Sequence, residues 1–220
     1  MARSYENSVF INCPFDSAYR PLFEAVAFAV YDCGFYPRSA LEVEDSSEAR
    51  IEKVIRTIGE CRLAVHDISR TQLDRESRLP RFNMPLELGI FIGAKAFGTG
   101  AHRQKAAIVL DAEHYRYQKY ISDIAGQDIR AHGRSPARMI HQVRDFLVTH
   151  CGDGLVLPGG GKIVDRYLEF RRGLPEMCAE AHLPPPQDLT FRDMTTLIVA
   201  WLRSNPLPLR SSPAGAAAAL

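Results

Sequence analysis

The chain lacks most of the signatures that assign a protein quickly. Its five cysteines, Cys13, Cys33, Cys61, Cys151 and Cys178, are odd in number and scattered, and no two form a C-x-x-C pair. That spacing excludes a disulfide framework and points to a reduced, intracellular protein. Charge of one sign is also missing. The net charge is +1, so no bulk field recruits nucleic acid or an anionic membrane, and the Arg171-Arg172 pair is too short to change this. No apolar run is long enough to span a bilayer. The first residues, Met1 to Ser8, are polar and lack the apolar core of a signal peptide. A cytoplasmic, soluble protein is expected, with no membrane and no nucleic-acid partner. No His, Cys or acid spacing suits a metal, so neither a structural zinc nor another metal is expected. Gly159-Gly160-Gly161-Lys162 lacks both the spacing and the following Ser or Thr of a phosphate-binding P-loop, and reads as a flexible linker. No motif supports Ser-His-Asp or Cys-His catalysis, and there is no internal repeat.

What is present is a sizeable apolar fraction, 46% of 220 residues, arranged in alternating short and long blocks. Residues 9–13, 35–41, 62–67 and 105–111 read as buried strands, and 124–129 as a short fifth. Residues 17–33, 47–61, 83–97, 135–150, 162–182 and 190–203 read as helices, with Gly34 as a stop after the first. Continuous apolar strands alternating with helices predict an α/β, flavodoxin-like parallel sheet of four or five strands, covered by helices on both faces. A glycine-rich break at 152–161 divides a domain over 1–151 from a C-terminal helical extension over 162–204. The tail, 205–220, is rich in Pro, Ser and Ala and reads as disordered. The segment 68–81 is charged and aperiodic, near the length at which a surface loop is usually functional.

The segment Phe82-Asn83-Met84-Pro85-Leu86-Glu87-Leu88-Gly89-Ile90-Phe91-Ile92-Gly93 carries the most information. It places one carboxylate in the first turn of an otherwise apolar helix. Asn83 is placed to cap that helix, and Pro85 costs little where N–H groups lack helical partners. Two readings of Glu87 compete: a partner for the helix dipole, or a reactive group at the mouth of a pocket. Gly89 and Gly93 would let the helix approach the sheet closely. In parallel sheets ligands bind outside the carboxyl ends of the strands, and there Asn12 (with Asp16 nearby), Asp67 and Asp111 end their strands.

Asp67 ending a strand, then a loop, then Asn83-x-x-x-Glu87-x-Gly89, resembles the pattern of nucleoside 2-deoxyribosyltransferases. Val9-Phe10-Ile11-Asn12, followed by a polar loop and a helix, is similar to the first box of TIR domains. The resemblance covers roughly residues 8–130. The chain lacks a TIR second box after its second strand, and its arginine-rich loop departs from small deoxyribosyltransferases. Both families break N-glycosidic bonds, and enzymatic TIR domains cleave NAD. The resemblance implies that Glu87 is the catalytic carboxylate, with NAD as substrate and no separate cofactor. A carboxylate suits that role, because such cleavage passes through an oxocarbenium-like sugar that it can stabilise or attack.

The other candidates each carry a plainer reading beside the functional one. Asp67 could orient a base or a ribose hydroxyl, or cap a turn. Asn12 and Asp16 could line the pocket. Phe15 could stack on a base or simply pack. Asn83 could bond a sugar hydroxyl or only cap its helix. Arg38, Arg50, Arg78 and Arg81 are candidates for phosphate contacts, because the guanidinium fork suits phosphate. His66 reads as a core or edge histidine. The resemblance further implies an NAD hydrolase of a bacterial antiphage or conflict system, acting as a homo-oligomer. Two alternatives stand beside it: a non-catalytic nucleotide-binding signalling module, and a nucleoside 2-deoxyribosyltransferase.

Overall fold

The computed structural model describes residues 3–42, 45–73, 78–80, 82–152 and 155–207. Five strands form one parallel sheet: β1 (Ser8–Asn12), β2 (Tyr36–Arg38), β3 (Leu63–Asp67), β4 (Ala106–Asp111) and β5 (Arg130–Ala131), in the order β2-β1-β3-β4-β5. This is the flavodoxin-like arrangement, whose strand order reverses between β1 and β3. Six helices join and cover it: α1 (Arg20–Asp32), α2 (Arg50–Gly59), α3 (Asn83–Phe97), α4 (Pro136–Val148), α5 (Gly160–Glu180) and α6 (Phe191–Ser204). The short fifth strand falls just after the expected 124–129, where Ser122–Ile124 is instead a 3-10 turn.

Alternation along the strands separates two apolar layers. Val9, Ile11, Leu63, Val65, Ile108 and Leu110 face α1 and α4. Phe10 and Ala64 face α2 and α3, meeting Val54, Ile58 and Phe91. Period-two strands buried on both faces make this partition compulsory.

Local chemistry sets the helix ends. Gly34 takes φ +84°, its N–H donates to the Tyr31 carbonyl, and the Phe35 N–H donates to the Val30 carbonyl. That pair is a Schellman motif, and the left-handed position favours glycine. Thr190 and Asp193 form a reciprocal capping box on α6. Lys105 is 1% exposed, and its ammonium donates to the carbonyls of Ile58 and Cys61 where α2 ends. A cation there satisfies carbonyls that the helix leaves without partners.

The glycine-rich segment at 159–161 differs from the expected linker. Gly159 caps α5, while Gly160 and Gly161 are its first residues. A Cβ on Gly160 would fall 2.2 Å from Nδ1 of His141, so the closeness of α5 to α4 requires glycine there. α5 and α6 then share one apolar core with α1 and α4, through Ile163, Tyr167, Phe170, Leu174, Met194 and Ile198. Arg166 reaches from α5 to Asp32 of α1 with Nε–Oδ2 at 3.0 Å, both side chains buried. Within the tail read as disordered, residues 208–220 lie outside the described residues. Among the described residues no helix is long and apolar enough to cross a membrane.

Candidate functional site

The carboxyl ends of β1 and β3 open on the point where the strand order reverses. Two cavities lie there. The first, about 360 Å³, is lined by Pro14, Phe15 and Asp16 after β1, Leu41, Arg50 at the start of α2, Arg70 after β3, and Asn83 and Met84 in the first turn of α3. The second, about 400 Å³, is lined by Asp16, Tyr19 and Leu22, by Ser69, Arg70 and Gln72, and by His132 and Arg134 after β5. A larger cavity of about 470 Å³ sits beside Asn7, Phe35 and Arg62, where β1, β2 and β3 begin. It is at the wrong edge for a parallel sheet, whose ligands bind beyond the strand ends.

Glu87 lies in the second turn of α3, not the first. The helix begins at Asn83, its N-cap is Phe82, and no side chain caps it. Asn83 is therefore the first helical residue rather than the cap, and its exposed side chain borders the first cavity. Dipole attraction fades beyond the first turn, which weakens the bland reading of Glu87. The side chain is 5% exposed. Burial pushes its carboxyl up to about 7, and the nearby Arg50 charge pulls slightly the other way. The carboxylate also raises the Cys13 thiol, after burial and Asp67. Glu87 itself lines neither cavity; it sits one turn behind Asn83 on the same side of the helix.

Gly89 and Gly93 do not face the sheet. A Cβ on Gly89 would meet nothing within 4 Å, and one on Gly93 only the Phe97 ring at 4.0 Å. They lie on an outer stripe with Phe82, Leu86 and Phe97, whose exposures are 66%, 55% and 90%. The inner face consists of Met84, Glu87, Leu88 and Phe91.

Asn12 is 1% exposed, and its amide nitrogen donates to the Met84 carbonyl at 2.9 Å and lies 2.9 Å from Nδ1 of His66. It ties the end of β1 to the first turn of α3. Its Oδ1 is buried without a hydrogen-bond partner. His66 is a core residue, with burial pushing its pKa down to about 3 and the Phe10 and Phe91 rings edge-on to it.

Asp67 is fully buried at the end of β3. It accepts the Tyr19 hydroxyl at 2.6 Å and the Ser69 N–H at 2.7 Å, and its Oδ2 lies 3.0 Å from Nε2 of buried His132. Asp111, also fully buried, accepts from the Ala112 N–H, the Arg116 guanidinium and the Tyr120 hydroxyl. These two strand-end acids hold loops together.

Phe15 is 37% exposed in the first cavity. Its ring meets Phe23 edge-on at 5.6 Å, and the Arg50 guanidinium lies 5.8 Å from its centroid. Asp16 faces both cavities and pairs with Arg70 at 3.3 Å. Of the arginines chosen as phosphate candidates, Arg50 borders the first cavity. Arg38 is 4% exposed and held by Glu42 and Glu60, Arg78 lines neither cavity, and Arg81 lies outside the described residues. Sequence reasoning missed Tyr19, Arg70, His132 and Arg134. The aperiodic loop at 68–81 flagged the neighbourhood of Arg70 without ranking its arginines. Among the described residues no cluster of His, Cys, Asp or Glu is placed to hold a metal.

Comparisons of the chain with protein-family models, with curated proteins and with solved structures give no match. The reading of this edge therefore rests on its own geometry and chemistry.

Proposed function

We propose that this chain cleaves the N-glycosidic bond of a nucleotide, with NAD as the substrate and Glu87 as the carboxylate that stabilises the developing sugar cation. The observation that carries the reading is a desolvated carboxylate beside the strand-order reversal, its pKa raised to about 7 by burial. In a dry setting a fixed negative charge acts more strongly on an oxocarbenium ion than it would in water. Arg50 and Arg70 on the cavity walls favour a phosphorylated ligand over the free nucleoside of a deoxyribosyltransferase. The exposed ring of Phe15 offers a face for a base. The resemblance to TIR domains and deoxyribosyltransferases agrees with this chemistry and supports a cytoplasmic role in a bacterial defence or conflict system.

One observation favours a second reading, a nucleotide-binding module without chemistry: Glu87 lines neither cavity. Catalysis then requires the first turn of α3 to shift and uncover it. Self-association is a means to that shift. The stripe of Phe82, Leu86, Gly89, Gly93 and Phe97 is apolar and without charge, and exposed at all of these but half-buried Gly93, so a second copy of the same stripe meets no repulsion.

Incubating the concentrated protein with NAD, and separately with deoxynucleosides, tests the reading by following base release. Nicotinamide release that vanishes in Glu87→Gln supports it. Base exchange with deoxynucleosides alone moves the chain to the transferases. No release under conditions where the protein is oligomeric favours the binding module.

A further inference from the structure

Asp16 and Arg70 are the two residues common to the walls of both cavities, and they are bonded to each other. The pair is a partition across a single groove at the carboxyl edge of the sheet. We propose that this ion pair is a latch that a phosphate group opens, so that Arg70 reads the phosphate and the two cavities join around one ligand. The inference rests on the nucleotide reading of this edge. The ligand class is one with two ring-bearing halves joined through phosphate.

The two partners are held unequally. Asp16 is anchored: its Oδ1 accepts the Tyr19 N–H at 3.2 Å, and its carbonyl accepts from the N–H groups of Tyr19 and Arg20 where α1 begins. Arg70 is loosely held. Its side chain is 40% exposed, its Nε lies 3.3 Å from Asp16 Oδ2, and its hydrogen bond to Gln72 is a long 3.4 Å contact. A half-exposed ion pair contributes little, and breaking it costs little. A phosphate offers Arg70 more charge and a bidentate geometry, which is the stronger interaction.

The neighbouring groups agree. Arg50 lies in the first cavity and exposed Arg134 in the second, so each compartment has a cation and the partition supplies a third. Arg134 holds a φ of +58°, uncommon outside glycine, and its N–H donates to Nδ1 of His132 at 3.0 Å. The acids that bound the groove are Asp16 on its wall and, sealed below, Asp67 and Glu87. Moving Arg70 away leaves Asp16 still bonded to the start of α1, so the latch opens without unfolding a loop. It also sets specificity: a ligand without phosphate has nothing to offer Arg70 and meets a closed partition.

Isothermal titration of the full chain with inorganic pyrophosphate, ADP and adenosine tests this. Four proteins are compared: wild type, Asp16→Asn, Arg70→Gln, and Glu176→Gln as a net-charge control on the exposed side of α5. In Asp16→Asn the ADP-to-adenosine affinity ratio rises by about fivefold, as Arg70 is released from a surface pair. In Arg70→Gln the ratio falls by about tenfold or more, the scale of one charge-assisted hydrogen bond. Pyrophosphate follows ADP in both, and Glu176→Gln matches wild type. The latch is overturned if the two variants shift the ratio in the same direction, if neither shifts it, if Glu176→Gln equals Asp16→Asn, or if wild type binds no pyrophosphate. Absence of base release from NAD removes the glycosidase reading and leaves these ratios standing. Adenosine binding without Arg70-dependent pyrophosphate binding removes the latch and leaves the role of Glu87 standing.

Discussion

The hydroxyl of Tyr19 donates to the carboxylate of Asp67 at 2.6 Å, joining the start of α1 to the end of β3 beneath the second cavity. Both side chains are buried, and burial together with the Asp67 charge raises the Tyr19 hydroxyl well above its ordinary range. The hydroxyl is therefore a committed donor. Tyr19→Phe leaves a buried carboxylate with one partner fewer and destabilises the fold by about 1.5–3 kcal/mol, the cost of losing a hydrogen bond to a charged group. Urea unfolding at neutral pH checks this, and an unchanged midpoint would remove Asp67 as a structural anchor.

Glu87 carries a pH signature in stability. Its carboxyl is pushed from 4.5 up to about 7. Between those values the folded chain keeps a proton that the unfolded chain has released. Stability from this group therefore falls as pH rises through that window, and the penalty is complete above about 7. The full effect is on the order of 3 kcal/mol. Glu87→Gln is accordingly more stable than wild type at pH 8, and its advantage is gone at pH 4. Thermal unfolding across that range reads the difference. A flat difference shows that Glu87 is not desolvated.

The proposed glycosidase reading adds a rate signature at the same residue. Under it, base release from NAD requires the ionised form, so it rises with pH through about 7 and levels off above. Glu87→Gln lowers turnover by about 10²–10³-fold, the scale of one lost electrostatic contact in a dry site. Loss of activity together with gain of stability separates a functional acid from a packing residue.

Arg166 and Asp32 join α5 to α1 through two parallel contacts of 3.0 and 3.1 Å. Arg166→Leu takes the guanidinium away from a buried carboxylate, at a cost of about 3–5 kcal/mol. A chain ended after residue 151 loses the same partner and uncovers Phe28, which meets Tyr167, Phe170 and Trp201. That shortened chain does not fold cooperatively. A sharp two-state transition for it, followed by circular dichroism, would show that the extension is dispensable.

The stripe on α3 gives a prediction about assembly. Under the proposed self-association, Leu86→Lys and Phe97→Lys, both at exposed positions, lower the sedimentation coefficient at high concentration and leave the unfolding free energy of the monomer within about 0.5 kcal/mol of wild type. Unchanged sedimentation excludes this face as the contact.

Much of the sheet was legible because its strands are continuous apolar blocks and Gly34 marks a turn that few other residues can make. β5 was misplaced by a few residues because it has only two, Arg130 and Ala131, and no period to detect. The orientation of α3 was not legible for a physical reason. The helix has only Asn83, Glu87 and Lys95 among its polar side chains, too few to mark a polar face, so the pattern places Gly89 and Gly93 inward while the structure has them outward. Asn83 missed the cap position by one residue, which moved Glu87 from the first turn to the second. The loops hid Arg70, His132 and Arg134, because sequence alone does not say which side chain of an aperiodic segment turns toward a cavity.

α5 and α6 close one side of the sheet, and Leu168 is the single exposed large apolar side chain on the two of them. The opposite side keeps Ile51 and Ile55 on α2, and Leu86, Ile92 and Phe97 on α3. An apolar surface confined to these two helices, once paired with itself about a twofold axis as proposed, is used up. α5 and α6 offer no comparable stripe for a further copy, so growth into a fibre has no route through these helices.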